Sequence, residues 1–343
     1  MVQAEENMIP GKERILPGEE NMVPGKETLI RVRELITPHI HHTPLLTNST
    51  IDRMLGARVY FKCENFQKAG AFKFRGATHA VLTLGKEEAA RGVATHSSGN
   101  HAQALALAAS MRGIKAHIVM PESAPRIKVE AVRAYGGEIT FCLPVLSERE
   151  ATLKKVIDRT GAVEIHPYND YRIIAGQASA AAEVFDDIGS PDIIMPPVGG
   201  GGLLSGTILS ARHFSPETRV YAAEPLNAND AWKSFREKQW VPSDNPQTIA
   251  DGLRTSLGSL TYPIIMEGVK DILTASEEAI IEAMLLLWER VKVVVEPSAA
   301  VPLAVMLEHR EVFAGKRVAL ILSGGNVDLF RLPWLENRSF SNR

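Results

Sequence analysis

Pro197-Val198-Gly199-Gly200-Gly201-Gly202-Leu203-Leu204-Ser205-Gly206 is the stretch on which the reading of this chain turns. It follows an apolar run that reads as a strand and opens another that reads as a helix. Four consecutive glycines let the backbone approach a ligand closely and adopt positive φ, with N–H groups turned inward. A helix amino terminus behind them completes an anion cradle suited to a phosphate. A plain turn needs only one or two glycines, and each further one costs conformational entropy. The spacing Gly200-x-Gly202-x-x-x-Gly206 departs from the dinucleotide fingerprint, and no Gly-Lys-Ser/Thr follows as in a P-loop. A phosphate site for a compact cofactor is the better reading.

Outward from this loop, strands and helices alternate. Apolar spacing predicts helices over 28–37, 73–84, 100–111, 126–135, 176–187, 203–214 and 277–292. Strands are expected over 58–64, 92–95, 115–120, 138–142, 192–198, 219–223 and 317–322. The alternation predicts an α/β protein with parallel sheets covered by helices on both faces. Two such series imply two lobes with a cleft between them, and sites at the carboxyl ends of the strands.

Composition narrows the class. The 343 residues are 45% hydrophobic and 23% charged, as in a globular protein with a sizeable core. A net charge of −2 gives no reason to expect a nucleic-acid or membrane partner, and no apolar run reaches transmembrane length. Two cysteines, Cys63 and Cys142, form no disulfide framework and suit a reducing compartment. The start Met1-Val2-Gln3-Ala4-Glu5-Glu6 does not resemble a secretory signal, so a cytoplasmic protein is expected. Residues 1–27 carry the repeat Ile9-Pro10-Gly11-Lys12-Glu13, Leu16-Pro17-Gly18-Glu19-Glu20, Val23-Pro24-Gly25-Lys26-Glu27. A Pro-Gly in each unit forbids a coiled coil, and the segment reads as a loosely docked extension.

Lys73 lies in Gly70-Ala71-Phe72-Lys73-Phe74-Arg75-Gly76-Ala77, among small residues and aromatic rings. Desolvation there disfavours the ammonium form, the condition for a lysine that works as a neutral base or imine-forming nucleophile. The alternative, a lysine snorkelling from a helix start, is displaced by two further strand-to-helix or strand-to-loop turns. Thr95-His96-Ser97-Ser98-Gly99-Asn100-His101 offers hydroxyls, an amide and N–H groups suited to a carboxylate and a phenolic oxygen. A histidine in a first helical turn is more often a packing residue than a base, so His101 is kept out of the chemistry. Leu322-Ser323-Gly324-Gly325-Asn326-Val327-Asp328 offers a hydroxyl to a ring nitrogen and glycines that admit a flat ring.

In this order, these motifs resemble the fold-type II pyridoxal-phosphate (PLP) enzymes, in the serine/threonine dehydratase (ammonia-lyase) and serine racemase branch. The resemblance spans about residues 42–328. It implies a two-lobed fold like the tryptophan synthase β chain. The large cofactor domain would comprise 28–91 and 169–343, and the small substrate-side domain 92–168.

Under this resemblance Lys73 is the Schiff-base lysine and the base at the substrate's Cα. Gly199, Gly200, Gly201, Gly202 and Leu203 would hold the phosphate, Phe72 would pack on the ring, and Asn100 would bond the phenolic oxygen. Ser323 would face the pyridine nitrogen beside Gly324, with Gly252 and Glu296 lining the cleft. A neutral serine there weakens the electron sink and favours prompt loss of a β-leaving group or prompt reprotonation. Ser97, Ser98, Gly99, Asn100 and His101 would receive the substrate carboxylate. Ser98 would also supply a proton on the face opposite Lys73, as racemisation requires. Glu224, the Ala228 carbonyl and Asp230 resemble the branch's divalent-cation site, whose oxygen ligands favour magnesium, manganese or calcium.

The implied reaction is β-elimination of water from L-serine, L-threonine or a similar amino acid, giving a 2-oxo acid and ammonia. Serine racemisation and 3-hydroxyaspartate dehydration are the alternatives. β-Replacement as in cysteine synthases, or a non-catalytic cofactor carrier, fits less well. A homodimer is implied by analogy.

Overall fold

The computed structural model describes residues 22–336, so the first two Pro-Gly units lie outside the described residues. The third unit runs into the helix Lys26–Ile36, where Gly25 stands at the N-cap and Glu27 faces the positive end of the helix dipole.

Ten strands are described: β1 Leu45–Thr47, β2 Arg58–Cys63, β3 Val93–His96, β4 Ala116–Pro121, β5 Glu138–Cys142, β6 Val163–Glu164, β7 Ile193–Met195, β8 Arg219–Pro225, β9 Asp271–Ala275 and β10 Arg317–Leu322. Six form one sheet in the order β1-β2-β10-β7-β8-β9, and four form another in the order β5-β4-β3-β6. β1 pairs antiparallel with β2, and every other described strand pairing is parallel.

Period-two alternation explains why helices cover both faces. Val318, Leu320 and Leu322 of β10 enter a core with the helices Glu277–Leu286 and Pro297–Glu308. Ala319 and Ile321 enter the opposite core, with the helices Lys26–Ile36, Tyr171–Ile188 and Gly202–Phe214. The small sheet is also buried on both sides. Val93, Ile118 and Met120 meet the helix Asn100–Arg112, while Ala94 and Val119 meet the helix Leu146–Thr160.

Several expected boundaries move for identifiable reasons. The strand expected over 192–198 shortens to Ile193–Met195 because Pro196 and Pro197 cannot donate to a ladder. The helix expected over 176–187 begins at Tyr171, since the Asp170 carboxylate accepts from the Arg172 amide at 2.8 Å and caps it. The helix expected over 277–292 is α-helical through Leu286 and then passes into a π turn over Leu287–Val291. The helix Pro297–Glu308 and strand β9 were not expected. That helix is buried from Ser298 to Leu307, so it carries no polar face to mark a 3.6-residue period.

The helix Lys73–Leu82 joins the two cores. Phe74, Ala77, Ala80 and Val81 belong to the core beside the small sheet. On its other side it crosses the helix Tyr171–Ile188 at backbone contact: a Cβ on Gly176 would stand 2.5 Å from Gly76 Cα. The turns after β2, β3, β7 and β10 meet at the carboxyl ends of the strands, where α/β sheets bind ligands. Both cysteines are free and buried. Among the described residues no helix is long and apolar enough to cross a membrane.

Candidate active site

The lysine loop is stitched to the turn after β10. The Phe72 amide donates to the Ser323 carbonyl at 3.0 Å, the Gly325 amide donates to the Gly70 carbonyl at 2.9 Å, and Ala71 bridges Gly324. Gly70 turns the chain at φ +69°, and a Cβ there would stand 2.5 Å from Asn326 Oδ1. Out of this turn comes Lys73, whose Nζ donates to the Pro167 carbonyl at 2.7 Å. The Phe72 and Tyr168 ring centroids lie 5.2 and 5.9 Å from Nζ. Burial lowers Lys73 from 10.5 to about 8, so a substantial neutral fraction exists near physiological pH.

The glycine loop is built by exclusion. Gly201 adopts φ +89°, closed to most side chains. The Tyr168 ring lies flat against Gly200, and the Leu253 backbone crowds Gly199, so neither position has room for a Cβ. Thr261 Oγ1 donates to the Gly200 carbonyl at 2.8 Å and fixes the turn. Gly202 begins the next helix, whose first amides have no intrahelical acceptors, and no acidic residue stands in its first turn. The loop is thus rich in donors and free of competing anions, which fits a phosphate.

Asn100 is aimed by two neighbours. Its Nδ2 donates to Glu296 Oε1 at 2.8 Å, and its Oδ1 accepts from Asn326 Nδ2 at 2.9 Å. One amide hydrogen remains for an oxygen in the cleft. Burial, with Asp251 adding to it, raises Glu296 from 4.5 to about 8, so its carboxyl is largely protonated at neutral pH. Gly324 sits in this corner, where a Cβ would stand 2.9 Å from Glu296 Oε1. Ser323 is buried beside it.

The turn after β3 presents Ser97, Ser98 and Gly99, all half-buried, ahead of the helix Asn100–Arg112. Ser97 Oγ accepts from the Gly99 amide at 3.4 Å. His101 points elsewhere. Its ring is buried, Nε2 lies 3.1 Å from the Ile165 carbonyl, and burial with Lys73 nearby lowers it to about 3. It is neutral and placed for packing. Across the cleft, the Gly252 amide donates to Ser298 Oγ at 3.1 Å, and Lys128 of the small-sheet side pairs with Asp251.

The strand-to-helix connection His166-Pro167-Tyr168-Asn169-Asp170 drew no expectation from sequence, yet it walls the site. His166 Nδ1 accepts from the Asn169 amide at 2.9 Å, and its ring meets Tyr168 edge-on at 4.6 Å. Asn169 Oδ1 accepts from the Leu260 amide at 2.8 Å, tying this wall to the segment beside the glycine loop. Nothing glycine-rich marks it. Its clue is position, an aromatic between β6 and a capped helix.

Glu224 and Asp230 are both buried at the end of β8. The Glu224 carboxylate accepts the Ala231 and Trp232 amides at 2.9 and 2.7 Å. Both Asp230 oxygens are buried without a hydrogen-bond partner. Burial and the neighbouring Asp230 push Glu224 well above the carboxylate range, and burial raises Asp230 to about 6. Among the described residues no group of three or more His, Cys, Asp or Glu could hold a metal ion, so a cation here would rest on two carboxylates and backbone oxygen.

Known proteins give the same arrangement a context. A family profile for pyridoxal-phosphate dependent enzymes matches residues 36–324. The β-hydroxyaspartate dehydratase of Paracoccus denitrificans is 51% identical over 301 residues, covering 88% of this chain and 96% of the relative. The serine racemase of Dictyostelium discoideum is 47% identical over 306 residues, covering 88% of this chain and 94% of the relative. The solved structure of maize serine racemase superposes with a TM-score of 0.89 at 42% identity, over 92% of this chain and 97% of that one. With a desolvated lysine facing a donor-lined glycine loop, the chain belongs to the pyridoxal-phosphate dependent enzymes of fold type II.

Proposed function

We propose that the protein eliminates water from a β-hydroxy amino acid, releasing a 2-oxo acid and ammonia, and racemises serine as a second activity. The observation that carries this is Lys73, a buried amine lowered to about 8 and held in the cleft by a carbonyl rather than a carboxylate. When bound, PLP supplies the electron sink that makes the substrate's Cα proton acidic.

The chain's residues supply the rest. The amides of Gly199 to Leu203 hold the phosphate, Asn100 donates to the phenolic oxygen, and Ser323 serves the ring nitrogen. Ser97, Gly99 and the start of the following helix receive the substrate carboxylate. Neutral Lys73 takes the Cα proton on one face, and Ser98 exchanges a proton on the other. Residues 92–168 form the substrate side, against a cofactor side of 28–91 and 169–343. Glu224, the Ala228 carbonyl and Asp230 hold a divalent cation, and the support is a pair of buried carboxylates, with both Asp230 oxygens lacking a hydrogen-bond partner. A homodimer completes the proposal.

A second reading, 3-hydroxyaspartate as preferred substrate, is favoured by the 51% identity to the Paracoccus dehydratase. Full-length protein loaded with PLP should be assayed against L-serine, D-serine, L-threonine and 3-hydroxyaspartate, with and without magnesium, scoring oxo acid and inversion. Elimination from at least one of them, abolished in Lys73→Ala, is expected. Cysteine or thioether formation without oxo-acid release would favour β-replacement instead.

A further inference from the structure

Two residues beyond Lys73, the Arg75 guanidinium is completely buried. Its Nε donates to Glu64 Oε2 at 2.7 Å and Nη2 to Glu64 Oε1 at 2.8 Å. Its other edge meets Glu183, with Nη1 donating to Oε1 at 2.6 Å and Nη2 to Oε2 at 2.8 Å. Nη1 also donates to Ser179 Oγ at 3.1 Å. Each edge of the planar fork is therefore held by a carboxylate, and the partners come from two other elements. Glu64 follows β2, and Glu183 lies in the helix Tyr171–Ile188. Lys62, also buried, adds a 2.6 Å pair to Glu183 and donates to the Thr43 carbonyl at 2.7 Å. Each of the two buried anions thus has a cation beside it, and at the edge of the cluster Asp187 lies 3.9 Å from Lys62 and 3.0 Å from His42.

Replacing such a cluster by apolar residues is often neutral or stabilising, so overall stability does not account for it. Geometry does. Side chains two apart on a helix diverge by about 200°. Arg75 therefore faces away from the cleft when Lys73 faces into it. The Gly76–Gly176 contact fixes where the two helices cross, Phe74, Ala77, Ala80 and Val81 pack the opposite side, and His79 Nδ1 lies 2.6 Å from the Arg172 carbonyl. To these the forked ends of Arg75 add a directional polar lock two residues from Lys73. Lys73 is held less firmly, by a single bond to Pro167 and two rings.

We propose that Arg75, clamped between Glu64 and Glu183, is a positioning residue that fixes the rotation of the Lys73–Leu82 helix and so aims Lys73 Nζ at the cofactor. The proposal rests on Lys73 being the cofactor lysine. It assigns a task to three buried side chains that lie outside the cofactor and substrate sites.

The test uses full-length, PLP-loaded protein carrying Arg75→Lys, which keeps the charge and loses the fork, and Glu183→Gln, which keeps the shape and loses one anion. Turnover of the best substrate should fall about 10- to 100-fold in Arg75→Lys, the order expected for a displacement near 1 Å. KM should change less than threefold. The visible band of the lysine-bound cofactor should shift, with a displaced pH midpoint and slower borohydride labelling of residue 73. Glu183→Gln should show the same pattern at smaller size. Unchanged turnover, band and labelling in folded Arg75→Lys would overturn the proposal. Failure of both variants to give folded protein would also overturn it, by assigning the cluster to folding. If wild-type protein is not labelled at residue 73, the functional reading itself fails, a result distinct from either.

Discussion

Among the described residues, the buried carboxylates Glu64 and Glu183 are treated in the opposite way to the buried carboxylates Glu224 and Asp230. Glu64 and Glu183 close on Arg75 and Lys62, so each anion meets a cation from the chain. Glu224 lies beside the charge of Asp230 and is satisfied by two amides, whereas the buried Asp230 oxygens have no hydrogen-bond partner and Lys233 acts on them only through its charge. The titrations follow. Burial alone would raise Glu183, but Arg75 and Lys62 outweigh it and hold it below the ordinary carboxylate value. Burial raises Asp230 to about 6, outweighing Ser243, its own backbone and Lys233, which act to lower it. A balanced cluster is a finished structural part. The other pair is the support for the cation proposed above.

The largest effect should come from unbalancing the first pair. Arg75→Met strands two buried carboxylates against Lys62 alone, and should cost about 3–5 kcal/mol in denaturant unfolding, as breaking a buried ion pair does. Equal stability to wild type would mean that the cluster is not the closed unit described here. Asp230→Asn is expected to do the reverse. At pH 7.5 and without divalent ions it should gain about 1–3 kcal/mol, because each unit of raised pKa is worth about 1.4 kcal/mol and the residue starts from 3.8. Under the cation-site proposal, magnesium, manganese or calcium should raise the Tm of the wild type, and the same variant should lose that rise. A full metal response in Asp230→Asn would remove Asp230 from the site.

The smallest effect is in the pH dependence, and its sign separates the pairs. Asp230 is raised in the folded state, so its contribution is fully present below 3.8 and is lost as pH rises through about 6. Glu183 is lowered, so its contribution is present above the ordinary 4.5 and is lost as pH falls below it. Subtracting the stability curve of Asp230→Asn from that of metal-free wild type should leave a downward slope from about pH 4 to 6. The same subtraction with Glu183→Gln should leave an upward slope as pH rises from acid. Equal signs would mean that one of the two environments is misread.

Much of this could be read in the residues because the informative ones are close together in the chain. Gly199 to Gly202, Ser97 to His101 and Ser323 to Asn326 each announce a turn at a strand end, and Lys73 announces itself by its aromatic flanks. Arg75 stands in the same quoted run, yet its partner Glu183 is 108 positions away and no local pattern joins them. Tyr168 and Pro167 escaped for a related reason. They act through a ring face and a backbone carbonyl, and neither leaves a mark in a sequence. The helix Pro297–Glu308 was invisible because burial on every side erases the polar half of the pattern. Glu296, just ahead of it, was placed beside the ring by resemblance. Its bond to Asn100 and its near-neutral titration required the fold.

The partner that Lys73 does have carries one more consequence. A peptide carbonyl stabilises an ammonium far less than a carboxylate does, so the amine is reactive as soon as the chain has folded. Metabolic aldehydes of many kinds could condense with it, since nucleophilicity does not discriminate among them. Selection must come from the handle the correct aldehyde carries, read by four glycines more than a hundred residues downstream.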